Sequence, residues 1–372
     1  MTDGLDAARV LLPGRSLEVV DKLRGSDRAQ VHRVRVRDSD GAEQTVIVKQ
    51  FDATEGWARE TAALRTMSAA GAPVARVVAE SATPPVLVSE DVGGGPSVAD
   101  LLLGDQPELA ADAVIGWATA LARLHVSSLP VRDAFNEALA TRSGDLPFVA
   151  DTLSGKLEEL ADTLAQQCAD LSVPVPAGAM EEFRGLADRL AAGEHGALSP
   201  SDACPDNNLR RDGEFVLVDF EGAWWQHVAW DVAYLSVPWP TCWCSWRVPD
   251  VVTAAAVDRY RELVRGTLPY VGTPAFERDL HAATVGWAFL SVAHLLPRAL
   301  GDDLAPDDPR VVTPTRRATI LHRLADAAES TELPALAELA KGLRAELVHK
   351  WGAITLDYAP AFGHLNSPLI SS

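Results

Sequence analysis

A short polar run in the second half of the chain carries residue types that could do chemistry. The run, "LSPSDACPDNNL" over residues 198–209, contains Asp202 and Asn207, and Asp219 follows an apolar stretch in "VLVDFEGA". Carboxylate and carboxamide oxygens suit Mg²⁺, which takes one or two protein oxygens and fills its shell with water and phosphate. A carboxylate outside that shell can orient a hydroxyl and accept its proton. The spacing therefore suits phosphoryl transfer, in which positioning and charge neutralisation provide most of the catalysis.

Lys49 in the first half of the chain supplies the cation that nucleotide phosphates require. It lies in "QTVIVKQF", a predicted strand whose apolar residues should pack, so the lysine needs a partner, and Glu60 on the following helix can provide it. The segment "RGSDRAQ", with Gly25 and Ser26, could lay backbone N–H groups over phosphates. Taken singly, each of these residues also fits a structural role: a surface acid, a snorkelling lysine or a turn glycine.

The elements that must position these residues change character near residue 93. Segments rich in β-formers, alternating over 31–38, predict strands over 16–23, 31–38, 44–51, 73–80 and 84–92. A helix is predicted over 54–71, which Thr54 can cap and Gly71 ends. The linker "GGGP" over 93–96 interrupts this pattern, and helical spacing dominates beyond it, with short strands only near 209–219. We therefore predict an α+β chain with a small β-rich lobe over 1–92 and a larger, mainly helical lobe over 93–372.

Composition excludes some classes of protein. The 372 residues are 47% hydrophobic, which is typical of a globular protein. The net charge of −19 argues against a nucleic-acid partner, because binding to phosphate backbones needs a basic surface. An acidic surface is compatible with a cationic ligand, but it also serves solubility alone.

Cysteine use and apolar runs bear on location. The start "MTDGLDAARVLLPGR" lacks the basic start and long apolar core of a secretory leader, and the four cysteines then indicate a reduced, cytoplasmic compartment. We expect "CWC" at 242–244 to be packed thiols, since no nearby residues complete a zinc site. The uncharged stretch over 280–297 is short for a membrane span and has helical period, which predicts a buried core helix and no membrane partner.

In order and detail, several motifs resemble those of the aminoglycoside phosphotransferase family of small-molecule kinases. They are Lys49 on a third strand, Glu60 on the next helix, "LVSEDV", "ALARLH", "SDACPDNNL", "VDFEGA" and "WDVAYL", within about residues 15–300. The resemblance implies a bilobal protein-kinase-like fold that uses ATP, or GTP, and Mg²⁺.

The same resemblance implies a role for each matching position. Asp202 would accept the proton of the substrate hydroxyl, and Asn207 and Asp219 would bind Mg²⁺. Lys49, held by Glu60, would contact the α- and β-phosphates. The backbone from Glu90 to Val92 would bind the adenine edge, and Asp231 would support the catalytic loop.

Three departures from the family pattern affect the site. Pro200 and Ser201 stand where the family has a histidine and a glycine before the catalytic aspartate. Glu221 replaces the glycine of the metal motif and could add a metal contact. The loop "RGSDRAQ" contains a single glycine, Gly25, where the family has a glycine-rich loop. The expected affinity for the nucleotide, and the choice between ATP and GTP, are therefore less firmly implied.

The tryptophan-rich segment after Asp219 has two interpretations. "WWQHVAW" contains Trp224, Trp225 and His227, which could line the acceptor pocket and stack on a ring, or could simply pack in the core. His125 is expected to be structural.

We therefore predict a kinase that phosphorylates a hydroxyl of an aminoglycoside, an amino sugar or a related cationic metabolite. A non-catalytic relative that binds a nucleotide or metabolite is the main alternative, motivated by the altered catalytic loop. A protein kinase is disfavoured, because the 11 residues between Asp219 and Asp231 are too few for a peptide platform.

Overall fold

The computed structural model describes residues 4–23, 29–144, 152–236, 245–301 and 313–365. A short helix, α1 (Gly4–Leu11), precedes a five-stranded antiparallel sheet with strand order β1-β2-β3-β5-β4. The strands of this sheet are β1 (Ser16–Leu23), β2 (Ala29–Arg37), β3 (Glu43–Phe51), β4 (Val77–Ala82) and β5 (Pro85–Glu90). The helix α2 (Thr54–Ala69) lies between β3 and β4 in the chain.

The side chains of β3 alternate between the two faces of the sheet. Val46 and Val48 pack in a cluster with the buried alanines of α1, on one face of the sheet. Phe51 belongs to the other core cluster, which includes residues of α2. Because successive side chains of a strand point to opposite faces, Lys49 shares the α2 face with Phe51. The sheet therefore directs this lysine towards the helix that carries Glu60.

The limits of α2 differ in one detail from the expectation. Ala53 is its N-cap and makes no side-chain capping bond, so the prediction that Thr54 caps the helix is wrong. Thr54 is instead the first helical residue. Gly71, with φ of +76°, follows the helix end as predicted, since glycine adopts the left-handed region without a Cβ penalty.

Helices dominate the remainder of the described chain. They are α3 (Val98–Leu102), α4 (Pro107–Ser128), α5 (Arg132–Ser143), α6 (Thr152–Asp170), α7 (Ala179–Arg189), α8 (Val228–Ala233), α9 (Asp250–Val264), α10 (Pro274–Gly301), α11 (Arg316–Ala328) and α12 (Pro334–Trp351). The expected α+β class, β-rich first and mainly helical afterwards, is confirmed.

Two small antiparallel sheets lie between α7 and α8 in the chain. Strand β6 (Gly196–Ser199) pairs with β9 (Trp224–His227), and β7 (Asn208–Arg211) pairs with β8 (Glu214–Leu217). The sequence predicted strands near 209–219, which are β7 and β8, but it did not predict β6 and β9. Together the two sheets frame the polar run and the segment that follows Asp219.

The glycine-rich segment over 93–96 lies directly against β7. Pro96 O accepts a hydrogen bond from Arg210 N at 3.0 Å, and Ser97 forms a β-bridge with Leu209. A Cβ on Gly95 would lie 2.0 Å from Arg210 O, so only glycine allows this approach. The segment is therefore anchored to β7, while the division into lobes at residues 92 and 93 stays a prediction.

Two helical stretches of the described chain are long and apolar enough to span a membrane. They cover residues 107–143 and 274–301, and 56% of the most apolar window of each lies buried inside the protein. Core helices of globular proteins have the same character, so these stretches are weak evidence for a membrane. The helix expected over 280–297 is part of α10, whose Val285 and Phe289 are buried, although His294 is exposed rather than on the buried face.

Two of the cysteines are described, and both are free thiols. Cys168 and Cys204 are buried. Burial raises the pKa of the Cys168 thiol to about 11, which makes it unreactive near neutral pH. The "CWC" thiols, Cys242 and Cys244, lie outside the described residues.

Candidate active site

The Lys49 ammonium group lies among three carboxylates. Its Nζ is 2.7 Å from Glu60 Oε2, 2.6 Å from Asp219 Oδ1 and 3.2 Å from Glu221 Oε2. Lys49 and Glu60 are 8% and 5% exposed, so this is a buried ion pair rather than a surface one. The structure therefore brings together four predicted site residues that are up to 172 residues apart in sequence, counting from Lys49 to Glu221.

The charges in this cluster do not cancel. Burial lowers the pKa of Lys49, but Glu60, Asp219 and Glu221 outweigh it and the net shift is upward, so the ammonium stays charged. Burial raises the pKa of Glu60 to about 7, with Asp219 and Glu221 adding to the rise and Lys49 opposing it. Three carboxylates around one ammonium leave an excess of negative charge.

The donor set fits a divalent cation. One carboxylate oxygen each from Glu60, Asp219 and Glu221 lies within 4.8 Å of the others. Mg²⁺ prefers such hard oxygen ligands and keeps several waters in its shell, and the half-exposed Asp219 leaves room for them. Glu60 is the most buried of the three acids, with its side chain 6% exposed, so the more accessible Asp219 and Glu221 of the "DFE" segment are the residues that would hold the ion.

The loop around Asp202 is held by its own side chains. The Cys204 thiol donates to Asp202 Oδ1 at 2.8 Å, and Asn207 Nδ2 donates to Asp202 O at 3.0 Å. Asn207 O accepts from Val218 N at 2.9 Å, directly before Asp219. These bonds place the predicted base, Asp202, and the predicted metal ligands, Asn207 and Asp219, on neighbouring loops.

A tight hairpin explains how these two loops meet. Strands β7 and β8 are joined by Asp212 and Gly213, whose φ angles of +52° and +86° are those of a two-residue hairpin turn. The pairing of Asn208 with Leu217 then sets the residues just outside the hairpin, Asn207 and Val218, side by side. The register of one short hairpin therefore aligns the two polar motifs.

Ser201 accounts for one departure from the family pattern. Its φ of +65° lies in the left-handed region, in which glycine is unstrained and serine is not. Its hydroxyl donates to Gly222 O at 2.5 Å, and its N–H donates to Ser199 Oγ at 2.8 Å. The serine thus joins the catalytic loop to the segment after Asp219, a contact that glycine could not make.

A buried polar network around Asp231 supports the loop that contains Asp202. Asp231 accepts from Ser199 Oγ at 2.7 Å and from Gln226 Nε2 at 3.0 Å, and it lies 3.1 Å from His125 Nε2. The other ring nitrogen of His125 is 2.7 Å from the Tyr260 hydroxyl. Asp231 and His125 are both 1% exposed, so their position agrees with the structural roles predicted for them.

The predicted nucleotide contacts in the first part of the chain are only partly placed. Glu90 ends β5, where its carboxylate pairs with Arg76 at 2.8 Å and with Arg211 at 3.3 Å, and Val92 is 6% exposed. The pairing with Arg211 links the end of the large sheet to β7. Gly25 and Ser26 lie outside the described residues, so the predicted phosphate loop stays a prediction.

The three aromatic candidates lie on β9 in different surroundings. Trp224 is half-buried, and the guanidinium of Arg59 lies 5.0 Å from its ring centroid. Trp225 is 7% exposed, with Arg132 at 5.2 Å from its ring. His227 is 1% exposed, and its Nδ1 accepts from Ala229 N at the start of α8. This places His227 in the core, and leaves Trp224 the most accessible of the three.

Sequence reasoning missed Arg59 and Cys204. Arg59 precedes Glu60 on α2 and donates to Ala223 O, and Cys204 donates to Asp202. Cys204 could have been noticed, because it lies inside the polar run two residues from Asp202. Arg59 gave no signal, since a backbone carbonyl partner leaves no trace in sequence.

Residues 25–263, more than half of the chain, match the family model described as "Phosphotransferase enzyme family". Comparison with curated proteins gives no match.

Among solved structures, similarities include a choline/ethanolamine kinase family protein from Mesorhizobium loti, at 17% identity and a TM-score of 0.47 over 86% of this chain and 92% of that one. A choline kinase from Cryptosporidium parvum has 11% identity and a TM-score of 0.49 over 89% and 93%. An aminoglycoside phosphotransferase from Alicyclobacillus acidocaldarius has 16% identity and a TM-score of 0.42 over 92% and 95%.

Proposed function

Because the chain belongs to the phosphotransferase enzyme family and is an ATP-dependent phosphotransferase that acts on a hydroxyl group, we propose a specific reaction for it. It transfers the γ-phosphate of ATP to a hydroxyl of an aminoglycoside, an amino sugar or a related cationic metabolite. The reaction takes place in the cytoplasm and requires Mg²⁺. GTP is the alternative donor.

The observation that carries this proposal is the contact of Lys49 with Glu60, Asp219 and Glu221. An ammonium group fixed in a buried cluster can bind nucleotide phosphates, because its geometry is already set by Glu60 and needs no further ordering. Removing one partner of such a pair leaves an uncompensated buried charge, which is strongly unfavourable. Burying the paired charges also costs free energy, because they lose their contact with water. The binding of a charged ligand readily explains why the protein keeps such a cluster.

Each residue of the site then has a role. Lys49 binds the phosphates of the nucleotide, and Glu60 orients it. Asp219, Glu221 and the side-chain oxygen of Asn207 would hold Mg²⁺, which neutralises charge on the transferring phosphoryl group when bound. These side chains keep the phosphates close to the loop that contains Asp202.

Asp202 orients the acceptor hydroxyl and takes up its proton as the phosphoryl group is transferred. The Cys204 thiol and the Asn207 amide hold this residue through its carboxylate and its carbonyl oxygen. Because the carboxylate is already held, it does not have to be ordered at the moment of reaction.

Charge supports a cationic acceptor. The chain carries a net charge of −19, and an acidic surface raises the local concentration of cationic molecules. Trp224, half-buried on the strand that follows the metal motif, offers part of a ring surface on which a cation or a sugar could stack. Both features favour an amino sugar over an anionic acceptor.

The test is consumption of MgATP by the purified protein against a panel of aminoglycosides, amino sugars, nucleosides and amino alcohols, repeated with GTP. Asp202→Asn should lower turnover by about 10²–10⁴-fold while MgATP still binds, since the general base and its positioning are lost. Asp206→Asn, in the same loop, is the matched control and should turn over as the wild type does. Undiminished turnover by Asp202→Asn would remove Asp202 as the base, and turnover confined to neutral or anionic acceptors would refute the cationic class.

A further inference from the structure

Arg59 joins α2 to the segment that follows the metal motif. It is 5% exposed, its Nη1 donates to Ala223 O at 3.2 Å, and its guanidinium lies over the Trp224 ring. Glu55, one turn earlier on the same helix, accepts from Arg59 Nη2 at 2.9 Å. Since Glu55 is mostly exposed, that pair is weak, and the buried contacts to Ala223 and Trp224 dominate.

The first turns of α2 lie against the same segment. A Cβ on Gly56 would be 3.5 Å from Glu221 Cβ, which is ordinary van der Waals contact. The Ser201 hydroxyl, on the loop that contains Asp202, donates to Gly222 O. The segment over 219–224 therefore contacts both α2 and that loop.

Glu60 follows Arg59 directly on α2, so any movement of this turn moves both residues. Lys49 depends on Glu60 and Asp219 together, with oxygens at 2.7 and 2.6 Å from its ammonium. Through Ala223 O, Arg59 connects the helix carrying Glu60 to the segment carrying Asp219. A guanidinium suits this task, because it can donate to a carbonyl and stack on an aromatic ring at the same time.

We propose that Arg59 is a positioning residue for the phosphate-binding lysine. It keeps Glu60, and through Glu60 the ammonium of Lys49, in register with Asp219, and it couples this side of the site to Trp224 on the proposed acceptor side. The inference rests on the proposed function, because it assigns Lys49 to the nucleotide.

The first measurement is the Kd of MgATP for the full-length wild type, Arg59→Met and Arg59→Lys. The methionine variant keeps most of the apolar stem and loses the charge, the donor and the stacking. Loss of a buried charge-assisted hydrogen bond should raise the Kd by about tenfold. The lysine variant restores the charge without the planar fork and should lie between the two. Arg65→Met removes an exposed arginine of the same helix, paired with Glu80, and should change the Kd less than about twofold.

A purely structural role is tested by a double-mutant cycle with Glu60→Gln. If Arg59 acts through Glu60, Arg59→Met should raise the Kd in the wild-type background and change it little in the Glu60→Gln background. Equal effects in both backgrounds would overturn the inference. Amide hydrogen exchange over residues 54–60 should also be faster in Arg59→Met than in Arg65→Met, and equal exchange would overturn it as well.

The same experiment separates the two proposals. A wild type that binds MgATP while Arg59→Met binds it equally well refutes the role of Arg59 and leaves the proposed function standing. A wild type that binds neither MgATP nor MgGTP refutes the proposed function, and the role of Arg59 with it.

Discussion

Acidification should destabilise the protein through His227, and the size of the effect follows from its surroundings. The imidazole is 1% exposed, and its Nδ1 accepts a hydrogen bond from Ala229 N at the start of α8. Its other nitrogen, Nε2, therefore carries the proton and lies 3.4 Å from the Tyr270 hydroxyl, which itself donates to Asp279. Protonation of Nδ1 would break the helix cap and bury a charge.

The sign and magnitude come from the difference between the folded and unfolded states. Burial lowers the pKa of His227 from 6.5 to about 4, with His195 also lowering it and Asp279 opposing them. Below pH 6.5 the unfolded chain binds a proton that the folded protein does not, so the free energy of unfolding decreases as the pH falls. The slope is about 1.4 kcal/mol per pH unit, and the loss is about 3 kcal/mol when the pH reaches 4.

Urea denaturation at several pH values between 4 and 8 measures this, with His227→Asn as the comparison. Asparagine can still cap α8 but does not titrate, so the variant should be less stable at pH 8 and should lose less stability on acidification. Other groups contribute equally to both proteins, so the difference in slope isolates His227. If the free energy of unfolding has the same pH dependence in both proteins, His227 is not a neutral histidine buried in the core. A loss of turnover beyond about a few-fold at pH 7.5, without a matching loss of stability, would instead favour a place for His227 in the acceptor pocket.

Two further substitutions test the backbone of the site. Gly95→Ala should lower the free energy of unfolding by about 1–3 kcal/mol, because its Cβ would meet Arg210 O at 2.0 Å. Gly94→Ala, whose Cβ would lie in open space, is the control and should change this free energy by less than about 0.5 kcal/mol. Thermal denaturation measures both variants. Ser201→Ala should cost about 1 kcal/mol by losing the bond to Gly222 O, while Ser201→Gly should be near neutral because relief of the left-handed strain offsets that loss. A Gly94 variant as unstable as the Gly95 variant, or a Ser201→Gly variant as unstable as Ser201→Ala, would contradict these accounts.

Local patterns predicted the large sheet well and the small sheets poorly. The strand expected over 16–23 is β1 with the same limits, because its content of valine and leucine between turn residues is a local signal. Strands β6 and β9 have only four residues each, and their pairing joins Gly196 to His227 across 31 positions of sequence. A pattern of four residues is too short to indicate a strand, and no local feature of the sequence indicates with which strand it pairs.

The site was predictable where a charged residue stands in apolar surroundings. Lys49 in an apolar strand had to find partners, and the structure pairs it directly with Asp219, which follows another apolar strand. Their assigned roles remain predictions, as do those of Gly25 and Ser26. Trp224 and Trp225 could not be told apart from sequence, because the burial of each depends on which face of β9 packs against the helices.

The altered catalytic loop shows how a departure from a pattern can keep a geometry. In sequence, the loss of a glycine before Asp202 weakens the resemblance, because glycine there permits a backbone conformation that other residues resist. In the structure, Ser201 adopts that conformation at φ of +65°, and its hydroxyl gains a bond to Gly222 O that glycine lacks. The strain of about 1–2 kcal/mol is thus countered by a contact that ties the catalytic loop to the metal segment. Arg59 contacts the same segment through Ala223 O. With serine in place of glycine at position 201, side-chain contacts from Ser201 and Arg59 hold the segment that carries Asp219. The motif can therefore differ from the family pattern while the cluster around Lys49 stays assembled.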